Sequence, residues 1–171
     1  YQQAIYFTAS EDDDAAEEVV DKGIELLEDR KNLDAEGHVL LGSLLSFSIR
    51  FSPLSAYGLS KKANKHYQTA LKLDPKNLRA YLNLGKSDYY KPKQYGGGKM
   101  VEEHLLKALT MPDQTAQYAH APCWGRDEAY YFLIQYYQRE DRTQDAMATA
   151  QQASKKYPYH SGIQRLMAGM E

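Results

Sequence analysis

The chain has 171 residues, enough for one ordinary domain or one short solenoid, and its formal net charge of −2 excludes a global attraction to nucleic acid or anionic lipid. No apolar run approaches the roughly 20 residues that span a bilayer, so direct membrane insertion is not expected. A single cysteine, Cys123, excludes an intramolecular disulfide framework and fits a reducing compartment.

Strand signal is nearly absent, and apolar residues recur at i, i+3, i+4 and i+7, which predicts helices throughout. Residues 1–9 read as a helix. Ser10, followed by Glu11, Asp12, Asp13 and Asp14, predicts a capped helix start with acids at the positive end of the dipole. That second helix carries Ala16, Val19, Val20, Gly23, Ile24 and Leu27. The next covers 34–50, with His38, Leu41, Gly42 and Leu45 on one face. Pro53 and Gly58 interrupt the chain before a helix over 59–73, which Asp74-Pro75 ends. Leu78 to Tyr90 places Tyr81, Leu84, Gly85 and Asp88 at helical spacing, and residues 91–98 (KPKQYGGG) form a turn. A helix resumes over 99–110. Residues 111–126 (MPDQTAQYAHAPCWGR) read as a long loop with two prolines and a glycine. The pattern then predicts helices over 127–139, 144–156 and 161–170, the last a cap.

One pattern recurs: Ala63, Tyr67, Ala70, Pro75; then Val101, Leu105, Ala108, Pro112; then Ala146, Ala150, Ala153, Pro158. The first three members of each set share a helical face and the proline stops the helix. An offset of 38 aligns Ala63 with Val101 and also pairs Tyr57 with Tyr95, Gly58 with Gly96, Lys61 with Lys99, His66 with His104 and Ala70 with Ala108. A unit that returns in this way is the signature of a repeat array.

With these residues the chain resembles the tetratricopeptide repeat (TPR) family, whose motif pairs an aromatic, a leucine and a glycine on one helix with an alanine, an aromatic and an alanine on the next, then a proline. Tyr130, Leu133, Ile134, Tyr137, Ala146, Ala150, Ala153 and Pro158 fit that register without a gap. Ile134 replaces the glycine and Ala150 the aromatic, a large-for-small exchange across the seam. The unit with Tyr81, Leu84, Gly85, Val101, Leu105 and Ala108 carries four inserted residues, and the unit with His38, Leu41, Gly42, Leu45, Ala63, Tyr67, Ala70 and Pro75 carries nine. The inserts are similar to those of a bacterial subgroup with Tyr-Gly-Gly segments inside its repeats, which includes transporter-associated components. The resemblance implies an all-α, right-handed α-solenoid of three helix pairs in one domain: a partial unit over 1–33, units over 34–75, 76–113 and 127–158, the 111–126 loop, and a cap over 159–171.

It also implies a concave groove lined by the first helix of each pair. Carried over by position, the groove residues are Glu36, Val39, Ser43 and Phe47, then Arg79, Asn83, Lys86, Tyr89 and Tyr90, then Glu128, Tyr131 and Gln135. Val39 and Ser43 stand where chaperone-binding relatives place a lysine and an asparagine, so their carboxylate clamp is not reproduced. Arg79 and Lys86 form a basic centre suited to an acidic or C-terminal ligand. The expected function is a non-enzymatic module holding a peptide or protein segment, with no nucleic acid partner, no cofactor and no metal. The runner-up is a small-molecule-binding accessory protein of a transport system with 111–126 as a lid. Oligomerisation with its own copies stays open. The chain begins at Tyr1 rather than Met, from which a periplasmic or exported location is expected ahead of a cytoplasmic one.

Other features read more plainly. Tyr95-Gly96-Gly97-Gly98-Lys99 lacks the spacing and the preceding strand of a phosphate loop, so the glycines are expected to serve a turn and Tyr95 and Tyr57 to pack as matched plugs. His66 and His104 lack the further ligands a metal needs. Cys123 and His120 sit in no nucleophile motif, and Trp124 is expected to pack the loop onto the second repeat.

Overall fold

Short polar side chains set where the helices begin. In the computed structural model, which describes residues 1–112 and 122–170, Asp12 accepts the Ala15 amide at 3.1 Å and opens α2 (Asp13–Glu28). Asp34 accepts from Gly37 at 2.7 Å and opens α3 (Ala35–Ser48), and Asn77 accepts from Ala80 at 2.9 Å and opens α5 (Leu78–Tyr90). Each pairs an amide that the first turn of a helix leaves without a partner. The cap expected at Ser10 is corrected: its Oγ donates to the Phe7 carbonyl at 3.1 Å, at the end of α1 (Gln2–Ala9). Glu11 then takes a φ of 61°, and the cap passes to Asp12.

The remaining helices are α4 (Ala56–Leu73), α6 (Val101–Thr110), α7 (Arg126–Arg139), α8 (Thr143–Lys156) and α9 (Ser161–Ala168), so the described residues are all-helical with no strand. Gly58, expected to break the chain, lies inside α4, which a 3-10 turn over Pro53–Ser55 leads into. The chain divides into two compact units, Tyr1–Pro75 and Lys76–Glu171. In the first, α1 packs on α2, α2 on α3, and α3 on α4. In the second, α5 packs on α6, α6 on α7, α7 on α8, and α8 on α9, while α5 also meets α7 and α7 meets α9. Within this second unit α5, α7 and α9 therefore form one layer, backed by α6 and α8.

The recurring triads are the most deeply buried part of these pairs. All nine positions, from Ala63 through Ala153, are at most 1% exposed. The opposing glycines explain why. A Cβ on Gly42 would lie 2.5 Å from the Tyr67 ring, and one on Gly85 would lie 2.7 Å from Leu105 Cδ2. Helix α3 therefore approaches α4, and α5 approaches α6, closely enough that only the missing side chain leaves room. Tyr67 uses that room fully: its ring is 1% exposed, its hydroxyl meets Ser46 Oγ at 3.0 Å, and burial pushes its phenol up to about 12. In α7 and α8 the arrangement is reversed, with Ile134 and Ala150 both fully buried in the same core.

Ion pairs tie α6 to the α7–α8 turn. Glu102 accepts from Arg142 at 2.6 and 3.1 Å and from the Tyr137 hydroxyl at 2.8 Å, while Arg142 Nε reaches Asp145 at 2.7 Å. The Arg142 bonds hold the Glu102 carboxyl below its ordinary range, against a smaller opposing effect of burial. A depressed carboxyl contributes stability above its unfolded value of about 4.3, and that contribution is lost as pH falls through the folded value. Glu102→Gln should therefore flatten the acid limb of thermal stability, followed by melting from neutral pH down to about pH 3. An acid limb as steep as in the wild type would show that the network carries no such linkage.

Candidate functional site

The face formed by α5 and α7 in the second unit brings most of the expected second- and third-unit residues together. At its centre, Tyr89, Tyr90 and Phe132 meet edge-to-face, with ring centroids 5.2 to 5.8 Å apart, and Tyr131 joins Phe132 at 5.6 Å. Edge-to-face contacts of this kind hold rings in place and leave little rotamer freedom to lose on binding. Phe132 is 7% exposed and forms the floor, whereas Tyr90 is 69% exposed and stands above it. The Arg139 guanidinium stacks on Tyr89 at 4.1 Å and donates to the Tyr89 carbonyl at 2.6 Å. Partial burial raises the Tyr90 phenol above its ordinary value, so it stays a neutral hydroxyl at physiological pH.

The expected basic centre is corrected by the way its two cations are engaged. Lys86 pairs with Glu128 at 3.0 Å and lies over the Phe132 ring at 5.0 Å. Arg79 is only 2% exposed, donates to the Trp124 carbonyl at 3.1 Å and lies 5.9 Å from the Trp124 ring. Asn83 is turned inward, with Nδ2 donating to the Arg79 carbonyl at 2.8 Å. Gln135 is half-buried on α7, and Tyr131 leans towards α9, where its ring lies 5.9 Å from that of His160. The face is thus aromatic, with its Lys86 and Glu128 charges balanced against each other.

The first-unit candidates are placed differently. Val39 is 3% exposed, and Ser43, 8% exposed, donates its hydroxyl back to the Val39 carbonyl at 2.9 Å. Phe47 packs edge-on to Tyr1 at 5.9 Å and beside Phe51 at 5.9 Å, over a small core of Ala4, Val20 and Leu44. Glu36 is half-buried near the start of α3. Val39, Ser43 and Phe47 are engaged within their own unit.

The loop over 111–126 is described at both ends only; residues 113–121, including His120 and most of the expected lid, lie outside the described residues. At its far end Gly125 takes a φ of 119°, and its Cα faces Leu78, Arg79 and Leu82 so closely that an added Cβ would lie 3.0 to 3.3 Å from them. Arg126 donates to the carbonyls of Leu109 and Met111, completing the C-terminus of α6. Trp124 is 44% exposed, and it is the backbone around it that docks on α5. Cys123 is exposed.

The glycine-rich turn is built for geometry. Gly96 and Gly98 have φ of 82° and 87°, and the Gly98 amide donates to the Asp88 carbonyl at 3.1 Å. Asp88 Oδ2 accepts the Met100 amide at 2.7 Å at the entrance to α6. Tyr95 and Tyr57 are 67% and 79% exposed, so they are not matched plugs. One sits on a turn and the other in a helix, which ends the 38-residue correspondence before the triads begin.

The sequence reading passed over two things. Phe132 was missed because it lies one residue from the expected α7 positions, and only the approach of α5 to α7 turns it into a floor. The second is a histidine pair. His66, aligned with His104 by the repeat offset, instead meets His38 across α3 and α4, with Nδ1 atoms 3.0 Å apart and rings stacked at 5.2 Å. His104 Nδ1 contacts the carbonyl of Met100, the residue before its own helix α6. The signal was available: His38 lies four residues before Gly42, on the face of α3 that meets Tyr67 in α4. Burial first, then the neighbouring His38, lowers His66 below its ordinary value.

Compared with models of known protein families and with curated proteins, the chain matches none.

Proposed function

We propose that α3/α4, α5/α6 and α7/α8 are tetratricopeptide-like pairs and that the protein is a non-enzymatic interaction module binding a peptide or protein segment on its first-helix face. The right-handed solenoid is what the resemblance to that family implies, and the resemblance rests on residues such as Gly42 and Tyr67, Gly85 and Leu105, and Ile134 and Ala150. One observation supports the binding role more than any other. Tyr90 is 69% exposed yet held in a cluster of rings, a rigid amphipathic surface of the kind that interfaces favour.

The pairing of Lys86 with Glu128 changes the ligand class expected from sequence. A free cation pair would select an acidic segment, whereas a face with balanced charges and tyrosine hydroxyls suits a segment with apolar side chains and unpaired backbone groups. Replacing Tyr90 and Tyr131 by alanine should weaken capture of the partner by about tenfold or more, the loss typical of aromatic anchors. Tyr95→Ala, an equally exposed tyrosine on the turn, should leave it unchanged. Equal loss from both would count against this face.

A further inference from the structure

We propose that the protein pairs with a second copy of itself through the first unit, the acidic face of α2 in each copy lying on the lysine face of α4 in the other. In α2, Asp14, Glu18, Asp21, Glu25 and Glu28 follow one another at intervals of four and three residues, so they share one stripe of the helix, away from the buried Ala16 and Val20. All five are exposed, and none forms an ion pair among the described residues. Asp13, outside this stripe, is taken by Arg50 at 3.0 Å. In α4 the buried Ala63, Tyr67 and Ala70 face α3, and Lys61, Lys65 and Lys72 share the opposite side with Tyr57 and Gln68. These three lysines are exposed and form no ion pair among the described residues, and α4 carries no carboxylate. Tyr57, 79% exposed, adds apolar area to the same stripe.

The two stripes lie side by side. Both helices pack on α3; Arg50, just before α4, meets the start of α2, and Glu28, at the end of α2, lies near enough to His66 in α4 to act on it electrostatically. The helices therefore run in the same sense. An anionic membrane or a nucleic acid would be drawn to α4 and repelled by α2, so the fitting partner carries both signs. A second copy does. A two-fold axis between the helices and parallel to them lays α2 of each copy on α4 of the other, so both complementary contacts form at once. Helix faces about 24 and 27 Å long and about 10 Å wide cover roughly 500 Å² on each copy, the lower end of specific interfaces. Exposed ion pairs contribute little singly, so the dimer is exchangeable and sensitive to salt. It leaves the α5/α7 face out and does not depend on the role proposed for it.

The test is sedimentation velocity of the intact chain over a concentration series, at about 50 mM and about 500 mM sodium chloride. The wild type should dimerise at low salt, and high salt should weaken the association by about tenfold or more. Lys61→Glu/Lys65→Glu and Asp21→Lys/Glu25→Lys should each be monomeric. An equimolar mixture of the two should dimerise, because the reversed α4 then meets the reversed α2 while the unchanged stripes still pair. Far-UV circular dichroism establishes that each variant is folded. If one does not fold, carbodiimide coupling of isotope-labelled with unlabelled wild type decides: amide links between copies should join Lys61 or Lys65 to the α2 carboxylates. A wild type that stays monomeric throughout, a dimer untouched by either reversal, a mixture that stays monomeric, or links between copies that all lie elsewhere would overturn the proposal.

Discussion

Gly42→Ala is expected to destabilise the first unit by about 2–3 kcal/mol, a large effect for one methyl group. The methyl would lie 2.5 Å from Tyr67 Cε1 and 2.9 Å from Cδ1, inside the ring's contact distance. The ring cannot move away easily because it is 1% exposed and tied to Ser46 through its hydroxyl. Tyr67→Ala alone should cost about 3–5 kcal/mol through the cavity it leaves. The double variant is the sharper experiment. With the ring gone, the Gly42 methyl meets space, so the two losses should combine to well under their sum. Denaturant unfolding of the four proteins measures this, and strict additivity would mean that the two residues do not share one packing site.

Gly97→Ala should be comparably severe, about 3 kcal/mol, in the second unit. Its Cβ would lie 1.9 Å from the Lys91 carbonyl oxygen and 2.5 Å from the carbonyl carbon. Both are backbone atoms, so no side chain can rotate out of the way. The turn would have to shift, and with it the Gly98 and Met100 amide bonds to Asp88 that set the start of α6. Gly96→Ala is the informative comparison. Open space surrounds that position, but its φ of 82° costs a residue with a Cβ about 1–2 kcal/mol. The order of the two losses, read from denaturant midpoints, separates a steric block from a conformational preference. A larger loss at Gly96 would contradict this assignment.

These two cases show which parts of the molecule were legible in the sequence. The recurring triads were, because helical spacing and burial follow from residue type alone, and Gly42 and Gly85 lie opposite Tyr67 and Leu105. Helix ends were legible only to within a few residues. Ser10 and Asp12 are both competent caps, and the positive φ at Glu11 decided between them. The 38-residue offset was informative over the triads and misleading before them, since Tyr57 and Gly58 lie in the α-helix α4 whereas Tyr95 ends a 3-10 turn and Gly96 follows it.

The candidate face was less legible, for reasons that concern pairing between helices. Arg79 and Lys86 read as a basic centre because their partners, the Trp124 carbonyl and Glu128, lie 45 and 42 residues away. Phe132 and Arg139 acquire their roles only when α5 and α7 come together. His38 and His66 belong to different halves of one unit, and the offset that aligned His66 with His104 drew attention from the pair that forms.

The proposed function leaves packing to the triads and recognition to the opposite helices. Site-specific photo-crosslinking tests it most directly. A photoreactive phenylalanine analogue in place of Tyr90, which is 69% exposed on the α5/α7 face, should trap one defined protein or peptide, displaced by excess unlabelled wild-type chain. The same probe in place of Leu106, 44% exposed on the triad-bearing helix α6, should trap none of it. A partner trapped from Leu106 and not from Tyr90 would contradict the claim.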